Sequence, residues 1–279
     1  MNQSGFIKNI PNSLTSLNLV SGCIAIAFAF HGMLSYAGYL ILVAAVFDFF
    51  DGMVARSLKV HSPIGKELDS LADVVSFGVA PTIILLELMA KALMPQQDVF
   101  LGFFESFSSS ELPPLTKIFM YRNVIEFGFW TYFFLATPLL IAVFSALRLA
   151  KFNIDTRQTT SFIGLPTPAN AIFILSLGFI SENVKNPTVQ GIIIHPMTLF
   201  FVSAIFSYLL VCEMPMFALK FKSFGIKDNA LKYGFIAVSL ILIAIFKLYA
   251  LPIVILLYIL VSFVVWVASQ LKANSDLKY

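Results

Sequence analysis

The segment Asp48-Phe49-Phe50-Asp51-Gly52-Met53-Val54-Ala55-Arg56 is followed, eight residues later, by Gly65-Lys66-Glu67-Leu68-Asp69-Ser70-Leu71-Ala72-Asp73. Together they place four aspartates in one short window of a chain that is 12% charged and 59% hydrophobic. Asp48, Asp51, Gly52 and Ala55 stand at i, i+3, i+4 and i+7, which a helix presents on a single face. Gly65, Asp69, Ala72, Asp73 and Ser76 repeat the pattern on the next segment. Between them, Lys59-Val60-His61-Ser62-Pro63 reads as a turn, with Ser62 as N-cap and Pro63 at the first helical position. The spacing therefore predicts two helices that face each other across a cleft lined by carboxylates and small side chains.

Four carboxylates held this close repel one another, and hard divalent cations remove the repulsion. Two Mg²⁺ or Mn²⁺ ions would set four positive charges against Asp48, Asp51, Asp69 and Asp73. An all-carboxylate ligand set fits Mg²⁺, Mn²⁺ or Ca²⁺ and argues against zinc, and His61 has no partner at ligand spacing. Paired metals on carboxylates are a common device for displacement at phosphorus. The glycines and the alanine leave room for a diphosphate, with Arg56 placed to hold it. A chance cluster of charges on a solvated turn has no need of this spacing.

Outside this window the chain is apolar. With 279 residues and a mean hydropathy of +0.89, it reads as an all-α, polytopic membrane helix bundle forming one domain over residues 1–279. Eight spans are expected, near 14–30, 34–50, 65–94, 129–146, 166–180, 197–211, 235–246 and 253–269. Residues 95–128 read as an extramembrane loop resting in part on the interface. Ala25-Ile26-Ala27 resembles a signal-peptidase site, but Asn12, Thr15 and Asn18 share one side of the first span and mark it as part of a bundle interior. Glu87 and Lys91 read as an i,i+4 pair near the far surface. Cys23 and Cys212 both fall in apolar segments, so no disulfide framework is expected. The net charge of +3 and the lack of a basic, aromatic-interleaved cluster speak against a nucleic-acid partner.

With the amino terminus in the cytoplasm and eight spans, Lys91, Lys117, Arg122, Lys185 and Lys247 fall outside. That leaves thirteen of the eighteen lysines and arginines inside, so the positive-inside rule predicts a carboxylate cleft facing the cytoplasm.

The eight fixed positions Asp48, Asp51, Gly52, Ala55, Arg56, Gly65, Asp69 and Asp73 match the signature of the CDP-alcohol phosphotransferases, and the chain resembles that family. Within it, Pro11-Asn12 through Asn18, the run Leu68 to Pro81, the run Ala146 to Asn153 and the run Phe162 to Ala169 resemble the membrane-bound phosphatidylserine synthases. The resemblance implies transfer of the phosphatidyl group of CDP-diacylglycerol to the hydroxyl of L-serine, giving phosphatidylserine and CMP, in a bacterial-type inner or plasma membrane. It implies metal binding by the four aspartates, with Asp73 also taking the serine proton, and nucleotide contacts from Gly52, Ala55, Arg56 and Gly65. It also implies a homodimer. Arg148, at the cytoplasmic end of a span, is the candidate for the serine carboxylate. Asn153, Thr15, Asn18 and Lys66 are further candidates for substrate contact.

Two alternatives stand beside this. A sibling that uses a phosphorylated acceptor, glycerol 3-phosphate or inositol phosphate, would need more cations, which Arg148, Lys151 and Arg157 could supply. An ion or solute transporter would also place aspartates in a bundle, but near the midplane and with broken, repeated helices.

Overall fold

The computed structural model describes residues 3–59, 62–93, 115, 128–155, 162–217, 225 and 229–276, with side chains described from residue 9 to residue 271 except at 162. Helices α1 (Gln3–Phe30) and α2 (Leu34–Ser57) come first, joined by a tight turn in which Gly32 takes φ 71°, a left-handed conformation suited to glycine. Each buries a stripe at helical spacing. On α1 the stripe is Pro11, Thr15, Asn18, Ser21, Gly22, Ala25 and Ala29; on α2 it is Leu34, Ala37, Gly38, Ile41, Ala44 and Asp51. These stripes are alanine- and glycine-rich toward one end and polar toward the other. The face that packs the bundle is thus continuous with the face that carries the acids.

Helix α3 (Pro63–Asp73) starts as its sequence requires, with Pro63 in the first turn and the Ser62 hydroxyl accepting the Gly65 amide at 3.2 Å. It runs on through one π-helical stretch, Val74–Val79, into α4 (Ala80–Leu93). Then come α5 (Phe129–Ala136), α6 (Leu139–Ile154), α7 (Thr167–Asn183), α8 (Pro187–Ile193) and α9 (Pro196–Val211). The chain closes with α10 (Ala230–Phe246), a 3₁₀ turn at Lys247–Ala250, and α11 (Leu251–Asp276). A two-residue antiparallel ladder, β1 (Phe162–Ile163) with β2 (Pro215–Met216), ties the entry to α7 to the exit of α9.

Helix α7 is the axis of the bundle. Every residue from Phe173 to Ser181 is buried, as expected for a helix apolar on all sides. At one end Thr167 meets Arg148 of α6; at the other the Glu182 carboxylate accepts the Leu34 and Ser35 amides, the latter at 2.8 Å, and so caps α2. The outer faces of the other helices expose Leu17, Val20, Val43, Val46, Leu140, Val143, Leu147, Leu240 and Ile241, an apolar surface suited to lipid.

The expected count of eight spans is not reached. Among the described residues, five helices are long and apolar enough to cross a membrane: Asn9–Phe30, Leu34–Ser57, Pro63–Leu93, Phe129–Ile154 and Ala230–Leu271. A sixth is added if Pro187–Ile193 and Pro196–Val211, bent by 51°, form one span. The shortfall has two sources. Helix α7 has 17 residues, a little under the length of a usual span. The last two expected spans, joined by the 3₁₀ turn, count as one stretch by length and composition. Within it, however, the rings of Phe235 and Tyr258 stand 6.0 Å apart, whereas residues 235 and 258 on a straight helix would be separated by about 34 Å. The chain therefore folds back at Lys247, whose φ is 53°.

Most of the expected loop 95–128, with Lys117 and Arg122, lies outside the described residues, as do Arg157 and His61. Leu115 is described: it is buried beside Ala90, and its amide donates to Glu87 Oε2 at 3.1 Å. Glu87 is itself buried and takes only an electrostatic contribution from Lys91, so the expected surface pair instead has its acid inside the bundle, holding Leu115.

The fold-back is open to direct test. In a chain lacking Cys23 and Cys212, the double variant Phe235→Cys, Tyr258→Cys should be joined by a short bifunctional thiol reagent in membranes; absence of cross-linking would mean a straight stretch over 230–271.

Candidate active site

The polar ends of α1, α2 and α3 meet at one end of the bundle. One oxygen from each of Asp48, Asp51 and Asp69 lies within 4.8 Å of the others, the cluster that the i, i+3 spacing on α2 and its counterpart on α3 predict. Thr15 Oγ1 donates to Asp51 Oδ2 at 2.6 Å. Asp69 Oδ1 is buried with no hydrogen-bond partner, an orphaned acceptor inside a group of like charges. Hard oxygen donors, close spacing and an unpaired buried oxygen all fit a divalent cation.

Asp73 is buried one turn beyond Asp69, accepts a hydrogen bond from Asn18 Nδ2 at 3.2 Å, and interacts electrostatically with Asp48, Asp69 and Asp51. All four carboxylates therefore act on one another at this end of the bundle.

Beside the cluster opens a cavity of about 230 Å³, lined by Pro11, Asn12, Thr15, Asp51, Gly52, Ala55, Ser62, Gly65, Lys66 and Asp69. The small residues of the motif make the space. A Cβ on Gly65 would sit 2.8 Å from Asn12 Oδ1, and one on Gly52 would sit 3.3 Å from the Arg56 guanidinium. Arg56 is exposed over Gly52 at the edge of this site, attracted electrostatically to Asp51. Asp51, Gly52, Ala55, Gly65, Lys66, Asp69 and Thr15 are thus gathered around one space, with Asp48 and Arg56 adjoining it.

Two of the expected acceptor residues lie elsewhere. Asn153 Nδ2 donates to Ser70 Oγ at 2.8 Å, and its carbonyl accepts from Lys66 Nζ at 3.0 Å, so it fastens the end of α6 to α3. Arg148 is buried at 7% exposure and interacts electrostatically with Asp73 and Tyr258. Its Nη1 donates to Thr167 Oγ1 at 3.4 Å, while Nε is buried without a hydrogen bond. A second, small cavity of about 40 Å³ is lined by Arg148, Lys151, Asp155, Ile163, Leu210, Val211, Cys212 and Glu213. Thr167, Ser70 and Tyr258 are site residues that the spacing of the acidic motif does not announce. Thr167 carried a signal in its place between Pro166 and Pro168 at a helix start; the others are ordinary residues of apolar helices.

Comparison with known proteins agrees with this geometry. The family model for CDP-alcohol phosphatidyltransferase matches residues 8–216. The archaetidylserine synthase of Methanothermobacter thermautotrophicus is 32% identical over 179 residues, covering 62% of this chain and 60% of that protein. The CDP-diacylglycerol–serine O-phosphatidyltransferases of Helicobacter pylori and Bacillus subtilis are 31% and 30% identical, over 59% and 61% of this chain and 55% and 75% of their own lengths. The chain thus spans little more than half the length of the first two relatives.

If the three-carboxylate cluster holds a cation, Asp69→Asn should weaken Mn²⁺ binding to the purified protein by about 10-fold or more, read by electron paramagnetic resonance. An unchanged affinity would remove Asp69 from the ligand set.

Proposed function

Starting from the fact that this chain belongs to the CDP-alcohol phosphatidyltransferase family, we propose that it transfers the phosphatidyl group of CDP-diacylglycerol to the hydroxyl of L-serine, releasing phosphatidylserine and CMP. The observation that carries this reading is the close group of carboxylates beside a cavity walled by Gly52, Ala55 and Gly65. Asp48, Asp51, Asp69 and Asp73 would hold two divalent cations, Mg²⁺ or Mn²⁺. When bound, such cations supply Lewis-acid neutralisation of the diphosphate and of the departing CMP. Everything else falls to the protein. Gly52, Ala55 and Gly65 admit the cytidine diphosphate to close approach, and Arg56 and Lys66 at its margin neutralise phosphate oxygens.

The serine oxygen forms a bond to the β-phosphorus as the bond from that phosphorus to the bridging oxygen breaks, and CMP leaves with that oxygen and its electron pair. The hydroxyl proton passes to Asp73, whose carboxylate is held by the Asn18 amide one turn beyond Asp69. Arg148, buried and within electrostatic reach of Asp73, binds the serine carboxylate.

The small cavity at Arg148 favours serine over a phosphorylated acceptor. It brings Arg148 and Lys151 together with Asp155 and Glu213, a mixed set that suits a zwitterion better than a dianion. Thr15, Asn18 and Asn153 act as supports for the acids and for α3. All eight helical segments foreseen in the sequence would cross the membrane, with α7 as a short central span, and the excess of lysine and arginine on the side of the carboxylate end would put that end in the cytoplasm, where nucleotides are. The resemblance also implies a homodimer.

The deciding experiment supplies purified protein with labelled CDP-diacylglycerol and Mn²⁺ or Mg²⁺ and scores CMP release with each acceptor. L-serine should support turnover; release only with glycerol 3-phosphate or inositol phosphate would overturn the serine assignment. In the same assay Arg148→Lys should raise the KM for serine by about 10-fold or more, since an ammonium loses the two-point contact, with a smaller change in the KM for the lipid.

A further inference from the structure

Helix α2 carries Asp48 and Asp51, yet its own N-cap residue contributes nothing to its start: Met33 makes no side-chain hydrogen bond to the first turn. The cap comes instead from Glu182 of α7, 148 residues from Leu34 in the chain. Glu182 Oε1 accepts the Leu34 amide, and Oε2 accepts the Ser35 amide at 2.8 Å. Beside it, Asn183 Nδ2 donates to Ser35 Oγ at 3.0 Å and to the Phe179 carbonyl at 2.9 Å. Gln190 of α8 closes the last turn of α7 in the same way, its Nε2 donating to the carbonyls of Ser181 at 2.8 Å and Val184 at 2.6 Å. Next to these bonds α2 and α7 touch directly. A Cβ on Gly38 would lie 2.9 Å from the Phe179 ring, and one on Gly178 would lie 3.3 Å from Leu34 Cβ. A serine or aspartate at position 33 would cap α2 locally, whereas a cap delivered from α7 also fixes where α2 stands against that helix.

From this latch the two helices run as levers toward the carboxylate end. Leu34 to Asp48 on α2, and Glu182 back to Thr167 on α7, are each about 20 Å of helix. The first delivers Asp48 and Asp51; the second delivers Thr167, which accepts from Arg148. Over such a length a tilt of about 3° at the latch moves one set by about 1 Å against the other, a misplacement that can slow a reaction about 100-fold. We propose that Glu182 is a positioning residue for phosphatidyl transfer: by capping α2 from α7 at the far end of the bundle, it sets the diphosphate side of the site against the serine side. The proposal rests on Arg148 as the serine contact. The acids stand on α2 and α3, while Arg148 and Thr167 stand on α6 and α7. Each substrate therefore still binds when the latch is broken, and their mutual alignment is what is lost. A cap that only stabilises α2 predicts otherwise, because any cap in its place would serve.

The experiment uses the full chain in nanodiscs, with Glu182→Ala alone and combined with Met33→Asp, which gives α2 a local cap at an exposed position. Glu182→Ala should lower kcat by about 10-fold or more, with the KM values for serine and lipid within about 2-fold and Mn²⁺ affinity unchanged. Adding Met33→Asp should raise thermal stability and leave kcat low. Tying the helices together should restore it. In a chain lacking Cys23 and Cys212, Ser35→Cys and Asn183→Cys added to Glu182→Ala should recover kcat when joined by a short bis-methanethiosulfonate and lose it again on reduction. A normal kcat in Glu182→Ala, recovery of kcat by Met33→Asp, or no response to the cross-link would each overturn the proposal. If Glu182→Ala alone is not monodisperse, the combination with Met33→Asp decides. A wild-type protein inactive with serine would instead count against the functional reading, and the latch is then judged by spin labels at Val46→Cys and Ile154→Cys, both exposed positions. Their distance distribution should shift or widen when Glu182→Ala and Met33→Asp are introduced; an unchanged distribution would overturn the latch.

Discussion

Mutual repulsion among acids at one end of an apolar bundle is the constraint to which the rest of the molecule answers. Oxygens of Asp48, Asp51 and Asp69 within 4.8 Å of each other would drive the ends of α2 and α3 apart unless something offsets their charge. The protein supplies only part of the compensation, through the Thr15 hydroxyl, the Asn18 amide and the Arg56 and Arg148 guanidiniums. Asp69 Oδ1 is left with no hydrogen bond at all. A protein of marginal stability keeps such an arrangement when a ligand completes it.

The helices are arranged to make that end of the bundle rigid. Small residues on α1 and α2 allow close packing along their length, Ser62 fixes the start of α3, and the Lys66–Asn153–Ser70 contacts tie α3 to α6. Helix α7 links the site to the far end: Thr167 touches Arg148, and Glu182 caps α2. Both faces of α2 that matter, the packing stripe and the acidic turn, are therefore referred to the same central helix. This is how a cavity at a bundle end is held to the sub-ångström tolerance that chemistry at phosphorus demands.

Much of this was legible in the sequence, for physical reasons that differ by residue. The 3–4 spacing of Asp48, Asp51 and Gly52 fixes a common face whatever the tertiary context, and Ser62-Pro63 carries its own capping chemistry. Hydropathy located the long helices and the break between 246 and 253, but it did not show the short α8 and could not settle the number of spans, because α7 is short and α9 reaches the length of a span only together with α8. The partner of Asp73 was hidden as well. Asn18 lies more than fifty residues earlier, and partners this distant in sequence leave no periodic trace.

The measurement that bears most directly on the central claim is anomalous diffraction from crystals of the full chain grown with Mn²⁺ and a CDP-containing ligand. The account predicts manganese peaks bounded by Asp48, Asp51 and Asp69, with the diphosphate in the cavity beside Gly52 and Gly65. Carboxylates spread apart, with no manganese signal among them while nucleotide is bound, would contradict it.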